Sequence, residues 1–174
     1  MPKQHVILVG LPGAGKSTVG RLLAERLDTH CTDIDPMIAR ATGMTVAELF
    51  AEEGEPAFRD RERRAVLQSL GLPPHIVTPG GGWAAEPGNL EAIANIALTI
   101  WLAINPATAA GRLADDQSRP LLAAGDRAEA LADLARRREP FYRRAAARID
   151  VNELTAAEAA DRLLAVVRER AGWL

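Results

Sequence analysis

Gly10, Gly15, Lys16 and Ser17 fall in the run GLPGAGKST at the spacing G-x-x-x-x-G-K-S/T. That pattern describes a loop that wraps an oligophosphate. Its glycines let the backbone turn tightly enough for several N–H groups to converge on one anion. The stretch Gly13, Ala14, Gly15, Lys16, Ser17 and Thr18 supplies those donors, and a helix opening here adds the positive end of its dipole. Lys16 can reach the β- and γ-phosphates of a nucleotide, and Ser17 can ligate Mg2+. The loop follows the apolar run HVILVG and precedes Val19, Leu22, Leu23 and Leu27 at helical spacing. This is the strand–loop–helix context that the motif requires.

Two carboxylates come next, Asp33 and Asp35, at the end of HCTDID, which reads as a second strand. Ligands of parallel sheets bind beyond the carboxyl ends of the strands, so both can face the phosphate loop. Along an extended chain they point the same way, with Ile34 opposed. The alternative for Asp35 is a cap on a helix beginning near Pro36. Cys31 reads as packing rather than chemistry.

The elements that must position these groups alternate along the chain. Thr45 and Glu48 form a capping box before VAELFAEE, and EPAFRDRERRAVLQSL resumes a helical pattern up to Gly71. HIVT is a third strand, followed by a proline and a triple glycine, Gly80, Gly81 and Gly82. ALTIWLAI is a fourth strand, with Pro106 opening the next helix. ADDQSRPLLAAGD reads as a mobile loop, a charged helix follows over about 128–146, ARIDV is a fifth strand, and an amphipathic helix closes the chain. Strands alternating with helices predict one α/β domain over 1–174.

Composition narrows the classes of partner. A net charge of -2 and a pI near 5.9 argue against a nucleic-acid binder. No apolar stretch approaches the ~18 to 20 residues that span a bilayer, and the N-terminus lacks a signal-peptide layout. One cysteine cannot form an intrachain disulfide, which fits a reducing cytoplasm. Trp101 belongs to the core of the fourth strand. Phe58 either packs against an acceptor ring or fills the core.

Taken in order, GLPGAGKSTVGRLLAERL, the DID at 33–35, FAEEGEPAFRDRE from Phe50, the GGG at 80–82, RPLL from Arg119 and RREPFY from Arg137 resemble the shikimate kinase family. The resemblance spans nearly the whole chain, and it implies a P-loop NTPase-type three-layer sandwich, its five-stranded parallel sheet ordered 2-3-1-4-5, with acceptor-binding helices over about 36–70 and a mobile lid over about 114–126. It implies ATP-dependent phosphorylation of the 3-hydroxyl of shikimate, with Mg2+ held by Ser17 and Asp33. It implies that Asp35 orients or deprotonates the acceptor hydroxyl, that Arg59 and Arg138 clamp the acceptor carboxylate, and that Gly80, Gly81 and Gly82 present N–H groups to it. It further implies that Arg119 steadies the transferring phosphoryl group from a lid, that Arg112 lies against the adenine, and that Glu62 holds Arg59 one helical turn away. A cytoplasmic monomer acting on a small molecule is the matching expectation. Arginine suits a carboxylate ligand because its planar fork donates two parallel hydrogen bonds. Pro79 and the segment WAAEPGNLEAI depart from the family pattern next to the acceptor site. A kinase of another hydroxy acid such as gluconate is the alternative enzyme. A non-catalytic ligand-sensing domain is the alternative of a different class; an adenylate kinase fits the carboxylate clamp less well.

Overall fold

His5–Val9 forms the first strand, β1, and all five residues are buried. In the computed structural model, which describes residues 1–114 and 126–174, β1 is the centre of a five-stranded parallel sheet. The others are β2 (Cys31–Asp33), β3 (Ile76–Thr78), β4 (Ala97–Ala103) and β5 (Ala147–Asp150), in the order β2-β3-β1-β4-β5. Val6 stands opposite Ile76 on one side and Leu98 on the other. The seven residues of β4 are likewise all buried, as expected for a strand covered on both faces.

Helices α1 (Lys16–Arg26), α2 (Ile34–Thr42), α3 (Val46–Glu53), α4 (Glu55–Ser69), α5 (Asn89–Ile93), α6 (Pro106–Arg112), α7 (Arg127–Tyr142) and α8 (Ala156–Arg170) surround the sheet. α1 packs against α8 and the sheet, α6 packs against α7, and α4 packs against both α2 and α3. The capping box of Thr45 and Glu48 opens α3, and Thr155 with Glu158 forms another at the start of α8. Gly20 lets α1 lie close on the sheet: a Cβ there would stand 2.7 Å from Cγ2 of Thr78. The two chain ends are stitched together. Gln4 donates its N–H to the Ala171 carbonyl at 3.0 Å, and Trp173 Nε1 donates to the Gln4 carbonyl at 2.9 Å.

The expected strand order and helical layers are those observed. The charged helix expected over about 128–146 ends earlier, at Tyr142, and two further features differ. The second strand stops at Asp33, and Ile34 already begins α2, so Asp35 lies in a helical first turn rather than on a strand. The alternation expected to aim Asp33 and Asp35 alike therefore does not apply. The segment after the triple glycine also folds, as a 3-10 turn at Trp83–Ala85 followed by α5. The lid expected over about 114–126, with Arg119, lies almost wholly outside the described residues.

Because all the strands are parallel, their carboxyl ends share one edge. The phosphate loop leaves β1 there, Asp33 ends β2 there, and Gly80–Gly82 follow β3 there. The opposite edge gathers the chain's three histidines, His5, His30 and His75, at the starts of β1, β2 and β3. His75 stacks on His30 at 4.1 Å and meets His5 edge-on at 5.0 Å. The His75 backbone N–H donates to His5 Nδ1 at 3.3 Å. His75 Nδ1 lies 2.8 Å from the Pro73 carbonyl, which can only accept, so this nitrogen carries the proton. Its Nε2 faces Ser69 Oγ at 2.8 Å and Thr32 Oγ1 at 3.1 Å.

Burial, joined by the neighbouring His30, holds both His5 and His75 below the ordinary histidine value despite their carbonyl partners. The folded state therefore binds fewer protons than the unfolded one. Its advantage is full above about pH 6.5 and is lost as pH falls from there through the depressed folded values. We expect the histidine contribution to the melting temperature to fall as pH drops below about 6.5. His75→Gln should flatten that slope in thermal unfolding followed across pH.

Candidate active site

The phosphate loop is built by two left-handed glycines. Gly13 has φ 86° and Gly15 has φ 88°, and Gly15 is also the N-cap of α1. The first intrahelical bond runs from Val19 N–H to the Gly15 carbonyl at 2.8 Å. The N–H groups of Lys16, Ser17 and Thr18 thus lack acceptors within the helix, as the first turn of any helix does. Lys16 is only 7% exposed, and its Nζ donates to the carbonyls of Gly10 at 2.7 Å and Leu11 at 3.0 Å. The ammonium is thereby curled over the loop it serves. Ala14 fixes the loop's shape by donating to Leu11 at 3.1 Å. α6 presses on the loop from outside: a Cβ on Gly13 would stand 2.8 Å from the Ala109 carbonyl. At the end of α6, Arg112 donates to the carbonyls of Val151 at 2.9 Å and Leu154 at 3.5 Å.

Asp33 occupies the N-cap position of α2 without bonding the helix through its side chain. Thr78 Oγ1 at the end of β3 instead donates to its Oδ1 at 3.0 Å. Ser17 and Asp33 line one groove of about 430 Å³ between α1 and β2. A hydroxyl, a carboxylate and the oxygens of a phosphate chain suit a hard cation such as Mg2+. Among the described residues no group of three or more histidine, cysteine or acidic side chains forms a metal site. Mg2+ shared with a nucleotide does not need one.

The triple glycine is the meeting point of the remaining groups. A Cβ on Gly80 would lie 2.6 Å from Glu62 Oε1 and 3.2 Å from Asp35 Oδ1. On Gly81 it would lie 2.9 Å from Arg138 Nη1 and 3.1 Å from the Gly10 carbonyl of the phosphate loop. On Gly82 it would collide with the guanidinium of Arg59, whose carbon would stand 2.5 Å away. Asp35, Arg59 and Arg138 are therefore gathered within one side chain's reach of three consecutive α-carbons, beside the phosphate loop. The Gly80 N–H donates to Glu62 Oε1 at 2.9 Å, so this glycine provides room and a tether rather than an amide for the ligand.

Glu62 is fully buried, and its other oxygen accepts from Arg59 Nη1 at 2.9 Å. Burial pushes its pKa up to about 7, against the pull of Arg59 and with the push of Asp35. Burial works against Arg59 too, yet the carboxylates of Glu62 and Glu55 outweigh it and raise the guanidinium value. The face of Arg59 also lies over Phe58 and Phe50, its carbon 5.4 Å and 5.9 Å from their ring centres. Phe58 is 2% exposed and fills the core, which decides between its two readings.

Arg138 and Tyr142 stand four residues apart on one face of α7. Tyr142 is fully enclosed and its hydroxyl donates to the Gly81 carbonyl at 2.5 Å. Burial raises its pKa to about 12, with Arg138 pulling down, so it stays a neutral donor. In the sequence this tyrosine stands inside RREPFY, four residues after Arg138, with nothing local to assign it a role. Thr78 was missed as well. Arg59, Arg138 and Gly82 share the wall of a cavity of about 480 Å³ with Glu55, Glu86, Asp133, Arg137 and Phe141. Trp83 is 2% exposed and Trp101 7%, both part of the core. Arg119 lies outside the described residues.

A parallel sheet in this order, a phosphate loop after its central strand and an arginine-lined cavity beside it define a P-loop kinase of small molecules. The family model for shikimate kinase matches residues 12–168. A shikimate kinase of Stenotrophomonas maltophilia is 39% identical over 173 residues, 99% of this chain and 95% of that protein. One of Mycobacterium leprae is 44% identical over 147 residues, 84% of this chain and 73% of that one. The chain belongs to the shikimate kinase family. The shikimate kinase of Acinetobacter baumannii, solved in complex with shikimate, superposes with a TM-score of 0.92 at 33% identity, covering 96% of this chain and 94% of that one. A gluconokinase of Sinorhizobium meliloti gives a TM-score of 0.61 at 15% identity over 98% and 94% of the two chains, a likeness of fold alone.

Gly82→Ala should dislodge Arg59 without touching the phosphate loop. The expected result is a KM for the acid acceptor raised at least tenfold, about 1.4 kcal/mol, with the KM for ATP unchanged. Gly111→Ala, where an added Cβ meets nothing within 4 Å, is the matched control and should leave both constants unaltered.

Proposed function

We propose that this enzyme transfers the γ-phosphoryl group of ATP to the 3-hydroxyl of shikimate, giving shikimate 3-phosphate and ADP. The observation that carries the reading is the packing of Arg59 and Arg138 against consecutive glycines on one cavity, with Asp35 beside the first glycine and the phosphate loop beside the second. Two guanidinium groups on one wall suit a carboxylate, and a carboxylate next to them suits a hydroxyl. Shikimate and gluconate both carry these two groups, and membership of the shikimate kinase family favours shikimate.

The chain's own residues divide the work. The loop from Gly13 to Thr18 binds the phosphates through backbone N–H groups, and Lys16 leaves its carbonyl partners to meet the β- and γ-phosphates. Ser17 and Asp33 would hold Mg2+, which neutralises phosphate charge when bound. Arg59 and Arg138 orient the acceptor, and Asp35 accepts or aligns the proton of the attacking hydroxyl. Arg112 sits on the helix that braces the loop, a position suited to the adenine. No helix among the described residues is long and apolar enough to cross a membrane. We read the protein as a cytoplasmic monomer with a small-molecule substrate and no nucleic-acid partner.

A coupled ADP-release assay with Mg-ATP and a panel of hydroxy acids tests the reading. Turnover of shikimate supports it. Turnover of gluconate alone would replace the acceptor, and binding of shikimate without ADP would mark a sensor. Arg138→Ala should raise the KM for shikimate by about 2 to 5 kcal/mol, the usual cost of truncating a buried charge partner. Asp35→Asn should lower kcat by about 10²-fold or more while leaving ATP affinity intact.

A further inference from the structure

Glu86 ends the 3-10 turn that follows the triple glycine. Its Oε1 lies 4.0 Å from Nε of Arg59, while Glu55 Oε1 lies 3.3 Å from Nη2. Nη1 is held by Glu62 at 2.9 Å. Three carboxylates thus stand at three different nitrogens of one guanidinium. Their settings differ. The Glu62 side chain is wholly buried and tied to Gly80 as well, whereas those of Glu55 and Glu86 are 47% and 34% exposed and line the acceptor cavity.

A carboxylate binds a guanidinium best through two parallel N–H bonds. With Nη1 committed to Glu62, the edge left for such a fork is Nε with Nη2. Glu86 and Glu55 flank that edge. Glu55 stands in the first turn of α4, where the helix dipole favours a negative charge. Glu86 has no such support, and among the described residues Arg59, at the outer limit of an ion pair, is its only cationic partner. Its charge is therefore the least compensated of the three, and it faces any anion that enters.

We propose that Glu86 sets the affinity and selectivity for the acceptor by guarding the edge of Arg59 that the acceptor's carboxylate takes. An acid must displace it to reach the guanidinium, so Glu86 weakens acid binding and keeps the cavity from filling with any small anion. A neutral polyol gains nothing from Arg59 and leaves Glu86 in place. The inference rests on Arg59 being part of the acceptor clamp. It adds a role to the segment after the glycines.

The test compares wild type with Glu86→Gln and Glu86→Asp, by ADP release and by direct titration with shikimate. Glu86→Gln should lower the KM and Kd for shikimate about three- to fivefold, the scale of a partly exposed charge. Its kcat, KM for ATP and melting temperature should stay as in wild type. Glu86→Asp should restore the wild-type values, and the gain should shrink at high ionic strength. The methyl ester of shikimate should bind both proteins alike. A Kd for shikimate in Glu86→Gln equal to or above that of wild type overturns the proposal. If wild type releases no ADP with shikimate, the acceptor assignment fails separately, and the two proteins' affinities for the acid that does turn over still read Glu86.

Discussion

Nothing larger than a hydrogen atom fits on the α-carbons of Gly80, Gly81 and Gly82, and the acceptor side of the molecule is organised around that fact. Gly80 is pressed by Glu62 of α4 and Asp35 of α2, Gly81 by Arg138 of α7, and Gly82 by Arg59 of α4. The backbone itself becomes the surface on which those side chains are aligned. A methyl group at any of the three would push a charge out of register. The phosphate loop meets the same stretch through the Gly10 carbonyl, so donor and acceptor sides are referenced to one piece of main chain.

Charge is managed here by sharing rather than by isolated pairs. Glu62 gives one oxygen to Arg59 and the other to the backbone of Gly80, which satisfies a carboxylate from which water is excluded. Such a group is costly to bury, and its raised pKa records that cost. The return is rigidity: the guanidinium is fixed on one side by Glu62 and below by two phenylalanine rings. Only the edge toward the cavity remains adjustable. Tyr142 does for Gly81 what Glu62 does for Gly80, holding the loop by a single buried bond.

Much of this was legible in the sequence because it is local. The phosphate loop, its helix, the capping box at Thr45 and the buried runs of β1 and β4 are each written in residues that neighbour one another. The family resemblance paired Glu62 with Arg59, and their spacing on a helix allows it. Asp35 shows where local reading failed: the same few residues satisfy the rules for a strand end and a helix start, and only packing of α2 on α4 decides. The roles of Thr78 and Tyr142 depend on partners 45 and 61 residues away, a relation that no periodicity reveals. The histidine cluster escaped for a similar reason. Its members look unrelated in sequence and meet only because three parallel strands begin at one edge.

The bonds between Gln4 and the Ala171–Trp173 segment bring both chain ends to the edge of the sheet where β1 begins. The chemistry sits at the other edge, a full strand length away. Anchoring the protein to a bead or electrode through either end would therefore leave the mouth of the cavity facing the solution. Linking the two ends covalently would close a ring across a distance that hydrogen bonds already span.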